Sequence, residues 1–360
     1  MRVIQIVPSL SPGDGVGNDC LAIKRALLER GYETQIYADS ISPKLPKGTA
    51  LGIGKLPELS QEDVILFHLA SGSDLNFKID KLPGKKVLRY HNITPPEFFK
   101  KYSKGAQNSC FYGYEGVKYL SDKMDYVIAV SDYNRKDLIC MGYQCEMDVM
   151  PILIPFADYE KEPDRSVIEK YQDGRTNIVF TGRINPNKKQ EDVIKSFYLY
   201  KKYYDADARL FLVGSCDGME FYQKRLEAYV EKLQLKDVYF TGHIPFAQIL
   251  SYYHLADVFL CMSEHEGFCI PLVEAMYFDT PVVAYDSSAV GDTLGGSGIL
   301  LEEKDYMLAA GWINRLKNDL ELKAHIVEGQ RRRLEDFRYE VVREQLYRYM
   351  DKIIEKQVER

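Results

Sequence analysis

The sequence predicts an α/β protein with two doubly wound domains, each built on a parallel sheet that helices cover. Short apolar runs alternate with amphipathic helical patterns, and this alternation occurs twice along the chain. A polar stretch at residues 158–175 separates the two series. The length of 360 residues also exceeds what one hydrophobic core usually organises. We therefore expect domains at residues 1–160 and 161–338, followed by a charged amphipathic helix at residues 339–360.

The first half of the chain predicts a series of strands with helices between them. The apolar runs that we interpret as strands lie at residues 3–7, 34–38, 64–68, 86–91 and 126–130. Helical patterns lie at residues 19–30, 114–124 and 133–141. A glycine-rich loop at residues 13–17 joins the first strand to the first helix. Short, continuously apolar strands are typical of a parallel sheet buried on both faces.

The second half repeats this architecture without repeating its residues. Predicted strands lie at residues 177–181, 209–213, 238–241, 257–261 and 281–284. Predicted helices lie at residues 190–204, 220–233 and 246–254. The polar stretch before them contains Pro163 and Gly174, two residues that interrupt regular structure, and it predicts an interdomain linker.

Composition excludes several classes of protein. The net charge of −6 argues against nucleic acid as the main partner. The seven cysteines are odd in number and none has CxxC spacing, so we expect buried thiols in a reducing compartment. No histidine pair has metal-ligand spacing on a helix, so we expect no protein-held metal. The N-terminal apolar run is too short for a signal peptide, and no run reaches the roughly 18 apolar residues of a membrane span, which predicts a cytoplasmic protein.

Two carboxylates, Glu266 and Glu274, flank a segment that reads as strand, glycine loop, helix and strand. In a parallel α/β sheet, ligands bind at the carboxyl ends of the strands. A helix that begins near Phe268 would present free N–H groups to a phosphate there. If the segment were helical throughout, the carboxylates would lie roughly 12 Å apart, too far to share one proton transfer. The spacing favours a ligand that carries both hydroxyls and phosphates, such as a nucleotide sugar.

A second polar cluster follows the first strand of the second half. Gly182 permits a tight turn, and Arg183 and Lys188 are cations where a diphosphate would lie. Fixed cations at this position would stabilise the charge that develops on a leaving diphosphate. The alternative is a solvated charged loop, but the position after a strand favours the binding site.

The glycine loop and a strand-end histidine are further candidates in the first half. Residues 13–17 approach a dinucleotide-binding fingerprint, but Asn18 stands where the third glycine is required. Gly15 could still bring the backbone close to a ligand, and a flexible turn is the alternative. His91 could bind a sugar hydroxyl, with a structural role as the alternative, whereas His68 is expected to be structural.

A local excess of lysine and arginine marks the middle of the first half. Lysines from Lys78 to Lys104 interleave with Phe98, Phe99 and Tyr102. Such a surface could rest peripherally on the inner face of an anionic membrane that carries a lipid-linked acceptor. A solvated charged face is the alternative, and the negative total charge favours it.

These motifs together resemble the retaining glycosyltransferases of family 4, whose GT-B architecture has two facing Rossmann-like domains with a cleft between them. The resemblance rests on Gly182, Arg183 and Lys188, and on Glu266 to Glu274, which matches the E-x7-E motif of the family. The loop at residues 13–17 and the stretches at 90–95 and 241–245 also match, so the resemblance covers nearly the whole chain in order.

The resemblance implies a role for each matched residue. It assigns the donor diphosphate to Arg183 and Lys188, the sugar hydroxyls to Glu266 and the ribose to Glu274. His91 would contact the sugar from the opposite domain, and the catalytic group would comprise Glu266, His91, Arg183 and Lys188. The remaining donor-binding positions, most of them acting through the backbone, would be Gly15, Val16, Gly182, Ile244, Phe268, Cys269 and Ile270.

The resemblance also implies an activity. The N-terminal domain would bind the acceptor and the C-terminal domain the donor, and the last helix would pack back on the N-terminal domain. The enzyme would move a hexose, with retention and without a metal cofactor, from a GDP-, UDP- or dTDP-linked sugar to a glycan or lipid-linked oligosaccharide. The stretch at residues 91–95 resembles that of mannosyl- and rhamnosyltransferases of surface polysaccharide synthesis, which favours those sugars.

Two other functions are compatible with this architecture. A nucleotide-sugar epimerase would need acid–base carboxylates in the first domain, where we find no matching pair. A non-catalytic nucleotide-sugar-binding protein is disfavoured because both cations and both carboxylates of the motifs are intact.

Overall fold

The computed structural model describes residues 1–358, with side chains as far as Glu355, and divides the chain into two compact units. The first unit comprises residues 1–96, 105–156 and the chain from Asp336 onward. The second comprises residues 97–104 and 157–335. The division after residue 156 lies close to the boundary that we predicted at 160. Residues 97–104, which we expected in the first domain, belong to the second unit.

The first unit contains a seven-stranded sheet in the order β3-β2-β1-β4-β5-β6-β7, and every pair of neighbours is parallel. Its strands are β1 (Arg2–Leu10), β2 (Glu33–Ile41), β3 (Leu51–Gly52), β4 (Val64–Leu69), β5 (Lys85–Tyr90), β6 (Tyr126–Ala129) and β7 (Glu146–Val149). Its helices before the second unit are α1 (Gly15–Glu29), α2 (Lys104–Tyr119) and α3 (Asp132–Cys140). The central strands β4 and β6 are buried along their whole length, as their apolar sequences predict.

The second unit contains a six-stranded parallel sheet in the order β10-β9-β8-β11-β12-β13. Its strands are β8 (Asn177–Thr181), β9 (Arg209–Val213), β10 (Val238–Phe240), β11 (Val258–Cys261), β12 (Val282–Tyr285) and β13 (Ile299–Leu301). Its helices are α4 (Arg165–Tyr171), α5 (Gln190–Tyr203), α6 (Glu220–Lys232), α7 (Phe246–Leu255), α8 (Ile270–Tyr277), α9 (Val290–Leu294), α10 (Tyr306–Asn318) and α11 (Leu320–Leu334).

The polar stretch that we interpreted as a linker is in part a helix of the second unit. Asp164 caps α4 by accepting a hydrogen bond from the Ser166 N–H. At the end of α4, Tyr171 is buried and its ring lies 4.8 Å from that of Phe211 on β9. The linker prediction is therefore wrong over α4, because a short amphipathic helix has a polar composition overall.

The last helix, α12 (Tyr339–Val358), belongs to the first unit. Its apolar side contributes Val342, Leu346 and Met350, all fully buried, to the core that Ile23 and Leu27 of α1 share with β1 and β4. None of the helices in the described part of the chain combines the length and apolar composition needed to cross a bilayer.

Both sheets reverse their strand order at one point. In the first unit β1 lies between β2 and β4, and in the second β8 lies between β9 and β11. This order is that of Rossmann-like folds, and ligands bind beside the strand ends at such a reversal. The prediction of two doubly wound, Rossmann-like domains is confirmed.

Candidate functional site

The reversal point of the second sheet brings two predicted residues together. Lys188 ends a short turn after β8, and Glu266 lies in the loop after β11, the strand that pairs with β8. The Lys188 Nζ atom is 2.6 Å from Oε1 and 2.5 Å from Oε2 of Glu266. Burial alone would lower the pKa of Lys188, but the neighbouring carboxylate outweighs burial and raises it. The Lys188 ammonium is therefore held in its charged form beside Glu266 at the strand ends.

The turn that carries Lys188 is fastened to the loop that carries Glu266. The buried Asn187 donates through Nδ2 to the His265 carbonyl at 2.9 Å, and its own carbonyl accepts from the Glu264 N–H at 2.8 Å. These two bonds fix the distance between the cation and the carboxylate. Asn187 was not among the predicted site residues.

Two serines after β12 brace the same loop from the other side. The Glu266 N–H donates to the Ser288 hydroxyl at 2.7 Å, and the Ser287 hydroxyl donates to the Ser263 carbonyl at 2.6 Å. Ser288 adopts a left-handed conformation with φ +47°. The backbone of Glu266 is thus held at its N–H group by a neighbouring loop, while its side chain is held by Lys188.

Helix α8 begins at Ile270, two residues later than we predicted. Cys269 precedes it with φ +71°, and a left-handed residue cannot belong to a right-handed helix. Glu266 and Phe268 therefore lie in the loop, and the estimate of roughly 12 Å between the two carboxylates, which assumed a continuous helix, does not apply. Pro271 has no N–H group and the Leu272 N–H donates to the Cys269 carbonyl at 3.0 Å, so the N–H at the start of α8 that lacks a helical acceptor is that of Ile270.

Glu274, the second carboxylate, is held by two tyrosines. Tyr159 donates to its Oε1 atom at 3.0 Å, and Tyr253 donates to its Oε2 atom at 2.6 Å. Burial raises the pKa of Glu274, and the two hydroxyls oppose this effect without cancelling it. The side chain is thereby fixed on α8, with acceptor capacity left for a ligand because each carboxylate oxygen has two lone pairs.

A glycine with positive φ follows each of three neighbouring strands at the end of the sheet where Lys188 and Glu266 lie. Gly182, Gly214 and Gly242 follow β8, β9 and β10, and all three have positive φ. A Cβ atom on Gly214 would lie 2.1 Å from the Gly182 carbonyl oxygen, so only glycine fits there. Gly182 was predicted, whereas Gly214 was not.

The remaining predicted residues of this unit are less closely joined to the pair. Arg183 is exposed, and its guanidinium donates to the Asp217 carbonyl at 3.3 Å. Ile244 is partly buried and packs on the apolar cluster around Phe211 and Tyr252. The Phe268 carbonyl accepts a hydrogen bond from the Thr293 hydroxyl, which orients the backbone ahead of Cys269.

Among the residues that the structure describes, two groups of side chains have the composition of metal ligands, and a basic side chain is bonded to one member of each. Cys261, Glu266 and Cys269 lie together, but Glu266 is bonded to Lys188. The Cys261 thiol and burial raise the pKa of Cys269 well above its ordinary value, which keeps this thiol protonated. These residues therefore fit an ammonium group better than a metal ion.

The second group consists of Asp19, His68 and His91 in the first unit. Asp19 is fully buried and bonded to Arg89, whose Nε atom lies 2.8 Å from Oδ2. A guanidinium at this distance opposes a metal cation by charge repulsion.

The glycine loop of the first unit is shorter than predicted. Helix α1 begins at Gly15, so Gly15, Val16 and Gly17 form its first turn. A Cβ atom on Gly17 would lie 2.4 Å from the Ser11 carbonyl oxygen, which explains the glycine by close packing of the chain. The first-turn N–H groups of Gly15 and Val16 lack helical acceptors.

His91 lies directly after β5 and is buried. Its Nε2 atom is 3.0 Å from Nδ1 of His68, which is also buried. His68 thus has the structural position that we expected, and it contacts the histidine that we predicted to be functional.

Curated proteins of related sequence include two that are named O-antigen chain mannosyltransferases. The chain is 24% identical over 254 residues to the O-antigen chain mannosyltransferase B of Escherichia coli, covering 68% of this chain and 64% of that protein. It is 27% identical over 194 residues to the O-antigen chain mannosyltransferase RfbU of Salmonella typhimurium, covering 54% and 50%. The chain spans about half the length of the curated relatives that it matches.

Solved structures share the whole fold. Sucrose-phosphate synthase from Thermosynechococcus elongatus superposes with a TM-score of 0.75 over 99% of this chain and 100% of that chain, at 16% identity. The sequence match that identifies a family lies in the second unit and includes Arg183, Lys188, Glu266 and Glu274. Residues 161–333 match the family of glycosyl transferases group 1.

Proposed function

We propose that this protein is a hexosyltransferase that moves a sugar from a nucleoside diphosphate to a hydroxyl of a glycan or glycolipid, with retention of configuration. The observation that carries the proposal is the Lys188–Glu266 pair at the strand reversal of the second sheet. An ammonium suits a diphosphate, and a carboxylate suits sugar hydroxyls. The two halves of a nucleotide sugar thus have chemically matched partners at adjacent strand ends.

The leaving diphosphate gains negative charge as the glycosidic bond breaks. Lys188 would counter this charge, and its raised pKa keeps it protonated throughout the neutral range. The Ile270 N–H at the start of α8 would add to the same effect, as would Arg183, which is exposed and therefore able to turn toward a phosphate. These groups supply the charge that a metal ion supplies in other enzymes, and we propose that no metal is required.

Glu274 would bind the ribose hydroxyls. Tyr159 and Tyr253 hold its carboxylate, and α8 connects it to the backbone next to Glu266. Ile244 would meet the base through its backbone after β10. The second unit would then be the donor-binding domain and the first the acceptor-binding domain.

Mannose or rhamnose is the favoured sugar. The two relatives described above are named O-antigen chain mannosyltransferases, which supports mannose and an acceptor in surface polysaccharide synthesis. Retention agrees with the family resemblance of the E-x7-E segment. We further propose that the protein works in the cytoplasm and contacts the membrane peripherally where the acceptor is lipid-linked.

The proposal is tested by incubating the protein with GDP-, UDP- and dTDP-linked hexoses and measuring the release of nucleoside diphosphate. We expect slow hydrolysis of one donor without acceptor, and a much lower kcat in Lys188→Ala with a smaller change in KM. Lys189→Ala is the matched control, because Lys189 pairs with Glu264 instead. Failure to bind or hydrolyse every donor, together with an unchanged Lys188→Ala, would refute the proposal.

A further inference from the structure

Three buried polar side chains form a line across the first sheet. Gln5 lies on β1, His68 on β4 and His91 immediately after β5, and these three strands are neighbours. His68 Nε2 is 3.0 Å from the Gln5 carboxamide, and His68 Nδ1 is 3.0 Å from His91 Nε2. A line of hydrogen bonds through two neutral imidazoles has a direction, because each ring has one N–H donor and one acceptor nitrogen.

The direction of the line is set by helix α1. The Gln5 NH2 group is 3.2 Å from the Cys20 carbonyl oxygen, and the Gln5 oxygen is 3.2 Å from the Lys24 N–H nitrogen. The opposite orientation would place oxygen against oxygen and nitrogen against nitrogen. Gln5 therefore donates to His68 Nε2.

The proton positions on both histidines follow from this direction. Because His68 Nε2 accepts, its proton is on Nδ1, which donates to His91 Nε2. His91 Nε2 therefore accepts, and the proton of His91 is on Nδ1. Burial lowers the pKa of both histidines well below the ordinary value, with His91 adding to the effect on His68 and Arg89 to that on His91, so both rings are neutral.

The nearby carboxylate of Asp19 does not reverse the direction of these hydrogen bonds. Asp19 Oδ2 lies 3.7 Å from His91 Nε2, beyond hydrogen-bond distance. Both Asp19 oxygens already accept from Arg89, and Oδ1 also accepts the Leu153 N–H. Asp19 therefore leaves the Nε2 atom of His91 available to accept from His68.

The line ends on a donor that has no acceptor. His91 Nδ1 is buried, and it has no hydrogen-bond partner among the residues that the structure describes. An unpaired buried donor costs free energy comparable to a lost hydrogen bond, so its retention needs a reason. His91 follows a parallel strand at its carboxyl end, which is the end of a sheet where ligands bind.

We propose that Gln5 and His68 are positioning residues that fix His91 as a hydrogen-bond donor, through Nδ1, to an oxygen of a substrate at this end of the first sheet. The inference rests on the proposed transferase function for the identity of the ligand. It adds to that function a reason why His91 can only donate and not accept. A substrate oxygen at this place must therefore offer a lone pair.

The proton positions can be measured directly. The protein has six histidines, so labelling them with 15N gives a two-bond 15N–1H spectrum that can be resolved, with His91→Asn and His68→Asn assigning the signals. We expect both rings to carry the proton on Nδ1. In Gln5→Glu the carboxylate can only accept, so His68 gains a proton on Nε2. A proton on Nε2 of His91 in the native protein, or an unchanged His68 in Gln5→Glu, would overturn the proposal.

Gln35→Glu is the matched control on the neighbouring strand β2. The Gln35 oxygen accepts from Lys24 Nζ and from the Ile36 N–H, two bonds that a carboxylate keeps. We expect both histidine spectra to stay unchanged in this variant. If Gln5→Glu does not fold, Gln5→Met serves instead, and His68 should then lose its fixed proton position.

Donor turnover separates this inference from the proposed function. We expect kcat/KM for the preferred donor to fall about tenfold in Gln5→Glu, the effect of one lost hydrogen bond, and to remain native in Gln35→Glu. Native kcat/KM in Gln5→Glu despite the altered spectrum would overturn the positioning role. If the native protein turns over no donor, the proposed function fails while the spectra still decide the direction of the line.

Discussion

Both carboxylate oxygens of Glu266 lie within hydrogen-bond distance of a single atom, the Nζ of Lys188. The side chain of Glu266 is 6% exposed and that of Lys188 is 19% exposed, so water screens their attraction only weakly. A diphosphate that binds Lys188 must compete with this carboxylate. In the proposed reaction, the strength of the pair would therefore set how tightly the leaving diphosphate is held.

Glu266→Gln should separate product binding from catalysis. Without the competing carboxylate, we expect nucleoside diphosphate to bind roughly tenfold more tightly, equivalent to ~1.4 kcal/mol. We expect kcat to fall about a hundredfold or more, because the sugar loses its charged partner in the transition state. Calorimetry with nucleoside diphosphate and hydrolysis rates measure the two effects.

Glu264→Gln is the control for this experiment. Glu264 lies two residues away and pairs with Lys189 and Lys304, not with Lys188. Both quantities should remain near the native values. Weaker nucleoside diphosphate binding in Glu266→Gln would contradict the competition between carboxylate and diphosphate.

Tyr253→Phe should raise the KM for the donor while changing kcat little. The hydroxyl of Tyr253 holds one oxygen of Glu274, and a loosened carboxylate should weaken ribose binding equally in the ground and transition states. We expect a roughly three- to tenfold higher KM, the effect of one hydrogen bond. Steady-state kinetics with Tyr252→Phe as control test this, since Tyr252 packs in a different, aromatic cluster. A lower kcat with an unchanged KM would contradict this prediction.

Glu274 should affect how the stability of the folded protein changes with pH. Burial raises the pKa of this carboxyl in the folded protein above its ordinary value of 4.5, so the folded state binds the proton more tightly than the unfolded state. The contribution of Glu274 to stability is therefore greatest below pH 4.5 and declines as pH rises through the folded pKa. Thermal melting of native protein and Glu274→Gln should show the native Tm falling relative to the variant over this interval, whereas parallel curves would exclude the effect.

Gly214→Ala should destabilise the second unit strongly. Its new Cβ would meet the Gly182 carbonyl oxygen at 2.1 Å, so the ends of β8 and β9 would have to separate. We expect a loss of ~3 kcal/mol or more in the free energy of unfolding, above the ~1 kcal/mol that a positive φ alone costs. Gly218→Ala is the control, because it has φ +76° with open space around the new atom. Equal losses in denaturant titrations of the two variants would contradict this account.

Apolar runs predicted the central strands because those strands are buried along their whole length, as β4, β8 and β11 are. The missed strands have weaker patterns. In the first sheet, the edge strand β3 has two residues, and β7 at the opposite edge alternates charged and apolar side chains. In the second sheet, the edge strand β13 has three residues. Short edge strands are specified by their neighbours more than by their own sequence.

The residues at the strand ends were predictable for a related reason. Once β8 and β11 are recognised as parallel strands, Lys188 and Glu266 must lie at the same edge of the sheet. The residues that hold the site residues in place by hydrogen bonds could not be predicted in this way. Tyr159 is separated by 115 residues from Glu274, and Ser288 by 22 from Glu266, and these contacts depend on tertiary packing. The start of α8 was misplaced because a left-handed cysteine gives no composition signal.

The division of the chain into two units also orders events during synthesis. All residues of the second unit, 97–104 and 157–335, have been made before α12 begins. The first unit must wait, because Val342, Leu346 and Met350 of α12 complete the core around Ile23 and Leu27. Its first strands and helices are therefore translated early but keep an uncovered apolar face until α12 has also left the ribosome.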